Sequence, residues 1–165
     1  MSPTDGPHDH AGVIAPPPVI AAATVVCGLV LDRILPAYVL TVLIDFSTRV
    51  VIAALLAVAG GALALAAEIR FKRAGTATMP WKPASALVTD GVYAHVRNPM
   101  YVALALVVAA IAVAVASDWT LVLMVPAALV MHFGVVRREE RYLTARFGEA
   151  YRRYTDTVRR YGWPP

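Results

Sequence analysis

The sequence predicts an all-α integral membrane protein of about four transmembrane helices, and three observations predict it. Apolar residues make up 59% of the chain and charged residues only 16%, against about 45–50% and about 25% in soluble globular domains. The charges are segregated, leaving apolar runs near 19–36, 50–67, 99–117 and 119–136. At about 1.5 Å per residue each run crosses, or nearly crosses, a hydrocarbon core of about 30 Å. A chain of 165 residues allows one membrane-embedded domain, 19–165, and the single cysteine, Cys27, excludes an internal disulfide framework.

Residues 1–18, rich in proline and without lysine or arginine, read as a poorly ordered tail. No basic segment precedes the first span, so a cleavable signal is not expected. His8, Asp9 and His10 carry metal-capable side chains, but in a solvated tail they predict no metal site. The first span runs into Asp32 and Arg33, read as adjacent interfacial charges before Pro36. Tyr38–Phe46 is a connector too short to span, and Asp45 and Arg49 mark the approach to the second helix. There Ala57 and Gly61 share a face on which another helix can approach closely. Gly60 and Gly61 lack the strand and turn of a phosphate-binding loop.

Residues 68–98 form a polar cap segment in which Pro80 and Pro83 interrupt any helix and Trp81 reads as an interfacial anchor. The third and fourth spans, joined at Asp118, predict an antiparallel hairpin. An amphipathic helix closes the chain: Leu143, Phe147, Tyr151, Tyr154, Val158 and Tyr161 share a face that lies on the membrane or covers a cofactor.

Five lysines and arginines fall in 68–98 and eight in 137–165, so thirteen of the fifteen flank the same two segments. Two spans separate those segments, which puts both on one side. Positive residues favour the cytoplasmic side, so both termini are expected there. The expected location is the inner (cytoplasmic) membrane of a bacterium. Topology accounts for the basic bias, and no nucleic-acid partner is expected. The two segments, 31 and 29 residues long, are too small for a separate nucleotide-binding domain. Any cofactor must therefore bind where these caps meet the helix ends.

The stretch from Leu87 to Tyr101, LVTDGVYAHVRNPMY, is the polar passage that leads directly into a span. Gly91 frees the backbone for a turn, and Pro99 suits a first helical turn because its missing N–H would have no partner there. Arg97, Asn98 and Tyr101 then gather at the helix mouth. Glu139 and Glu140 follow the fourth span, as solvated charges or as carboxylates for a cation. Arg146 lies about a turn and a half beyond Glu140, where its planar fork suits an anionic acceptor or one of the glutamates. His132, the only histidine inside a span, precedes Glu139 by seven residues on a shared helical face, as a structural group or a base.

TDGVYAHVRNPMY, read with REERYLTARFGEAYRRYTDTVRR, resembles the phospholipid methyltransferase and isoprenylcysteine carboxyl methyltransferase superfamily of small integral-membrane enzymes. The shared pattern is G-x-Y-x-x-x-R-[H/N]-P-x-Y-x-G, then a glutamate pair and FG-x-x-Y-x-x-Y, and it spans roughly residues 68–165. Asn98 departs from the histidine usual in the isoprenylcysteine enzymes, and Ala103 from a common glycine. The resemblance implies S-adenosylmethionine as cofactor, bound by Tyr93, Arg97, Asn98, Pro99, Tyr101, Glu139 and Glu140. It also implies Glu140 and Arg146 as catalytic residues and a hydrophobic, lipid-like acceptor arriving from the surrounding membrane lipids. That acceptor is an isoprenylcysteine-type carboxylate or, alternatively, a phospholipid amine. A non-catalytic bundle retaining the fold is the remaining reading.

Overall fold

In chain order the helices are α1 (Pro17–Ile34), short α2 (Val39–Leu43), α3 (Phe46–Arg73), α4 (Pro99–Ala114) and α5 (Asp118–Met131). A π-helical segment, His132–Val136, carries α5 directly into α6 (Arg137–Phe147), and α7 (Glu149–Thr157) follows. The computed structural model describes residues 11–76 and 84–162, among which there is no strand. His8, Asp9 and His10, and Pro80 to Pro83 with Trp81, lie outside the described residues.

Length differences among the helices create the site. The 28 residues of α3 and the 30-residue helix Asp118–Phe147 rise about 42 and 45 Å at 1.5 Å per residue. By the same rise α1, with 18 residues, and α4, with 16, reach only about 27 and 24 Å. The two short helices start where the two long ones continue, leaving a space flanked by the last turns of α3 and by α6.

At the opposite end the loops are tied together. Asp32 accepts hydrogen bonds from the Ser117 hydroxyl and from the Trp119 N–H at 3.3 Å, and the Trp119 indole donates to the Leu35 carbonyl at 2.6 Å. Asp32 is therefore a tether to the α4–α5 turn as well as an interfacial charge. Asp118 accepts from the Val39 and Leu40 N–H groups at 2.8 and 2.9 Å, capping a short helix inside the expected connector. The turn itself places Ala116 at φ 55°. Ser117 N–H donates to Ala112 O at 2.8 Å and Ala116 N–H to Val113 O at 3.2 Å, the paired bonds of a Schellman ending.

The hairpin neighbours α4 and α5 are not each other's main partners, because α4 packs chiefly on α3 and α5 on α1. A Cβ at Gly28 would lie 2.6 Å from Thr120 Cα, and one at Gly60 would lie 3.0 Å from the Ala103 carbonyl. Nothing comes within 4 Å of a Cβ at Gly61. The close-packing face of α3 thus runs through Ala53, Gly60 and Ala67, one residue away from the Ala57–Gly61 face expected from sequence. Lipid is as apolar as a neighbouring helix, so a small residue carries no mark of which one it faces. Ala103, where related enzymes commonly carry glycine, is buried on α4, and the glycine at the crossing is Gly60 of α3.

Several boundaries move: the helix expected over 99–117 ends at Ala114, and the one expected over 50–67 runs Phe46–Arg73. The tail expected to end at residue 18 yields to helix at Pro17, and residues 11–16 lie against the π segment. There Ile14 N–H donates to Gly134 O at 3.2 Å, Arg138 Nη1 donates to Gly12 O at 2.8 Å, and the Ile14 side chain fills the space Gly134 leaves. The single amphipathic C-terminal helix breaks at Gly148, φ 54°, into α6 and α7. Tyr151, Tyr154 and Val158 still pack with Leu143, Phe147 and Leu87. Tyr161 instead hydrogen-bonds His132 Nδ1 at 3.0 Å.

Candidate active site

A cavity of about 430 Å³ fills the space over the starts of α1 and α4, within the range of about 300–1,000 Å³ usual for small-molecule sites. Ala64 of α3 with Leu104 and Val107 of α4 make its membrane-facing end apolar. Pro17 and Pro18 of α1 close one side. Toward the caps it is ringed by Tyr93, Tyr101, Tyr142, Tyr151 and Tyr154. Gly91, at φ 61°, starts the 3₁₀ turn Gly91–Ala94 that holds Tyr93, and a Cβ there would strike the Arg70 guanidinium, its Cζ 2.8 Å away. Arg70 is fixed in turn by Asp90 at 2.9 Å.

The two glutamates are electrostatically unlike. Glu140 receives Arg160 through two bonds of 2.7 Å and Arg97 at 3.2 Å. A paired guanidinium and carboxylate of this geometry form a strong, oriented bond, and Glu140 holds the Arg160 guanidinium above its ordinary pKa. Glu139 accepts one bond, from the Tyr101 hydroxyl at 2.8 Å, and no arginine pairs with it among the described residues. Glu139 is therefore the one carboxylate lining the cavity that has no arginine or lysine paired with it among the described residues. Burial pushes Tyr151 up to about 12, with Glu140 adding to the rise and Arg97 opposing it. Burial also raises Tyr93 and Tyr154, and the Glu139 charge adds to the rise at Tyr93.

Backbone pairing assembles these groups from distant stretches. Arg97 N–H donates to Arg159 O at 2.9 Å and Asn98 N–H to Arg160 O at 3.2 Å. The Tyr154 hydroxyl donates to Tyr93 O at 2.6 Å. α7 is thereby clamped over the cavity mouth.

Residues 48–150 match the family model described as phospholipid methyltransferase. The chain belongs to the phospholipid methyltransferase family. No curated protein and no solved structure matches it. Membership implies membrane methyltransferase activity, and the cavity lies at the end of the membrane helices.

In this phospholipid methyltransferase family member the residues singled out from sequence divide into three groups. Tyr93, Arg97, Pro99, Tyr101, Glu139 and Glu140 all line the cavity. Asn98 lines it too, but its side chain donates to the Arg160 carbonyl at 3.3 Å and serves the clamp. Arg146 is absent from the lining: its Nε donates to Ala84 O, which ties α6 to the 84–88 wall. His132 is also absent from the lining. The π segment delays the helix by about one residue, or roughly 100° of rotation, which separates His132 from the face of Glu139. The sequence reading missed Arg160, for nothing among the eight arginines scattered over 137–165 distinguishes the one that reaches Glu140. The cavity wall made by Ala11, Pro17 and Pro18 was hidden within a stretch read as tail.

Proposed function

We propose that this chain uses S-adenosylmethionine to methylate the amine headgroup of a membrane lipid. The carrying observation is the division of charge: Arg97 and Arg160 are both committed to Glu140, while Glu139 faces the cavity without a cation. The residues fit such a donor. A buried-side carboxylate suits its cationic end, and tyrosine faces suit positive charge as well. When bound, S-adenosylmethionine supplies an electrophilic methyl group on a sulfonium.

Glu139 then attracts the donor's cation, and Tyr101 orients that carboxylate through its hydroxyl. Ala64, Leu104 and Val107 accept hydrocarbon at the membrane-facing end, and α7 excludes water at the other. Restricting the two reactants in this way supplies much of the rate in a displacement that needs alignment. An anionic carboxylate acceptor would need an unpaired cation in the cavity, and the described residues supply none; this favours the amine over an isoprenylcysteine-type carboxylate. His132, outside the cavity, takes no part: the acceptor reacts as its neutral amine, having given its proton to water at the interface. As the new N–C bond forms the S–CH3 bond breaks, and the sulfonium leaves as a neutral thioether. The cap belongs on the cytoplasmic side in this proposal, supported by thirteen of the fifteen positive residues lying there.

The test is methyl transfer by purified protein from methyl-labelled S-adenosylmethionine, with phosphatidylethanolamine and with a farnesylated cysteine as separate acceptors. Label in the amine lipid is the expected result. Label only in the farnesylated cysteine refutes the amine assignment, and label in neither, with no donor binding by calorimetry, refutes the activity.

A further inference from the structure

Outside the cavity, α6 and α7 diverge at Gly148 and enclose an open hollow of about 520 Å³ between them. Arg137, Arg141, Arg152 and Arg160 line it, and Glu140 forms its inner wall, shared with the cavity. That single acid is already held by Arg160 and Arg97. The Thr144 hydroxyl donates to Glu140 O at 2.7 Å. Arg141 has no hydrogen-bond or ion-pair partner among the described residues. The pairing of Arg152 with Glu149 is stretched to 4.0 Å between side chains each 68% exposed, a geometry that contributes little. Three guanidinium groups are thus left without an effective counter-charge around one hollow.

Topology alone explains why this end of the protein is basic, but not why the charges converge. Arg153 and Arg159 serve the same topological purpose pointing elsewhere. Gathering like charges costs energy unless an anion joins them. Arg137 also marks the depth of the hollow. Its guanidinium lies over the Phe133 ring at 5.7 Å, and Phe133 is exposed on the apolar helix. The hollow therefore opens where hydrocarbon gives way to headgroups.

We infer that this hollow binds a phosphate-type anion, which guanidinium forks grip through paired N–H donors. The anion is the phosphate of an anionic membrane lipid or free phosphate. The inference does not rest on the proposed methyl acceptor.

Full-length protein purified in neutral detergent provides the test, with thermal stabilisation as the readout at constant ionic strength. Inorganic phosphate is titrated in one arm, and phosphatidylglycerol against phosphatidylcholine in the other. Saturable stabilisation in either arm is expected, and the responding arm identifies the source. At about tenfold for each lost charge-assisted contact, Arg137→Gln with Arg141→Gln should weaken the apparent affinity roughly 100-fold. Arg153→Gln with Arg159→Gln, the same change in net charge outside the hollow, removes no contact with the anion, and because exposed charges more than about 8–10 Å apart are largely screened it should stay within about twofold. Single Arg141→Gln, at an exposed position, carries the test if the double variant does not fold. Stabilisation in neither arm, or equal losses in the two double variants, overturns the site.

Discussion

Replacing each glutamate of the pair by glutamine separates the two roles. Glu140 is only 15% exposed and Arg97 12%, with Arg160 at 34%. Glu140→Gln leaves two guanidinium groups facing a neutral amide, and breaking a buried pair from one side costs about 3–5 kcal/mol. The partial exposure of Arg160 and the retained amide oxygen place this case near the lower end, about 3 kcal/mol. For a chain of this size, at roughly 2–4 °C per kcal/mol, the melting temperature should fall by about 6–12 °C. Glu139→Gln should cost about 1 kcal/mol or less, because the Tyr101 hydroxyl can still donate to the amide oxygen. It should instead lose a charge-assisted contact worth about 1.5–3 kcal/mol, or roughly ten- to a hundredfold in donor affinity. Melting curves with and without S-adenosylmethionine, backed by calorimetry, read both quantities, since a ligand bound only to the folded state raises its stability. The reasoning fails if Glu139→Gln keeps its affinity while Glu140→Gln loses affinity with an unchanged melt.

Arg146→Gln should lower stability by about 1 kcal/mol through its lost bond to the 84–88 wall; a turnover loss above about a hundredfold with an unchanged melt would instead return Arg146 to the chemistry. Gly60→Ala should destabilise by about 1–3 kcal/mol through overpacking on Ala103, whereas Gly61→Ala should be neutral or stabilise by up to about 1 kcal/mol, and equal effects in detergent unfolding would contradict the helix crossing. Gly134→Ala should displace the Ile14 side chain and weaken donor binding several-fold, with binding recovered by adding Ile14→Ala; a calorimetric titration unchanged by Gly134→Ala would detach residues 11–16 from the cavity. In a Cys27→Ala background, cysteines at Asp90 and Asp156 should label from the same side of the membrane and one at Ala37 from the other, an outcome that opposite labelling of 90 and 156 would contradict.

Legibility from sequence followed the kind of signal each feature leaves. Pro99 and Gly91 announced a turn and a helix start because their own covalent structure restricts or frees the backbone, and φ 61° at Gly91 bears that out. Leu143, Phe147, Tyr151 and Tyr154 were readable as one packing face by periodicity, although the turn at Gly148 left no periodic trace. The π segment was invisible because its residues, HFGVV, are ordinary helix residues. What makes it tolerable is remote: the Ile14 N–H satisfies the Gly134 carbonyl.

By itself the sequence determined where the apolar helices lie and at which end of the bundle the polar residues gather, although three of those helices are long enough to cross a membrane and the fourth, Pro99–Ala114, is shorter. Hydrophobic length and the placement of charge are local properties, and they act on each segment separately. Only the tertiary structure decided which glutamate is available. Glu139 and Glu140 are adjacent and chemically identical, so no local rule distinguishes them. Their difference arises from Arg97 and Arg160, brought together by backbone bonds between 97–98 and 159–160, and from Tyr101 on another helix. A carboxylate's role is set by the charges that surround it after folding, and those come from residues that the chain order keeps apart.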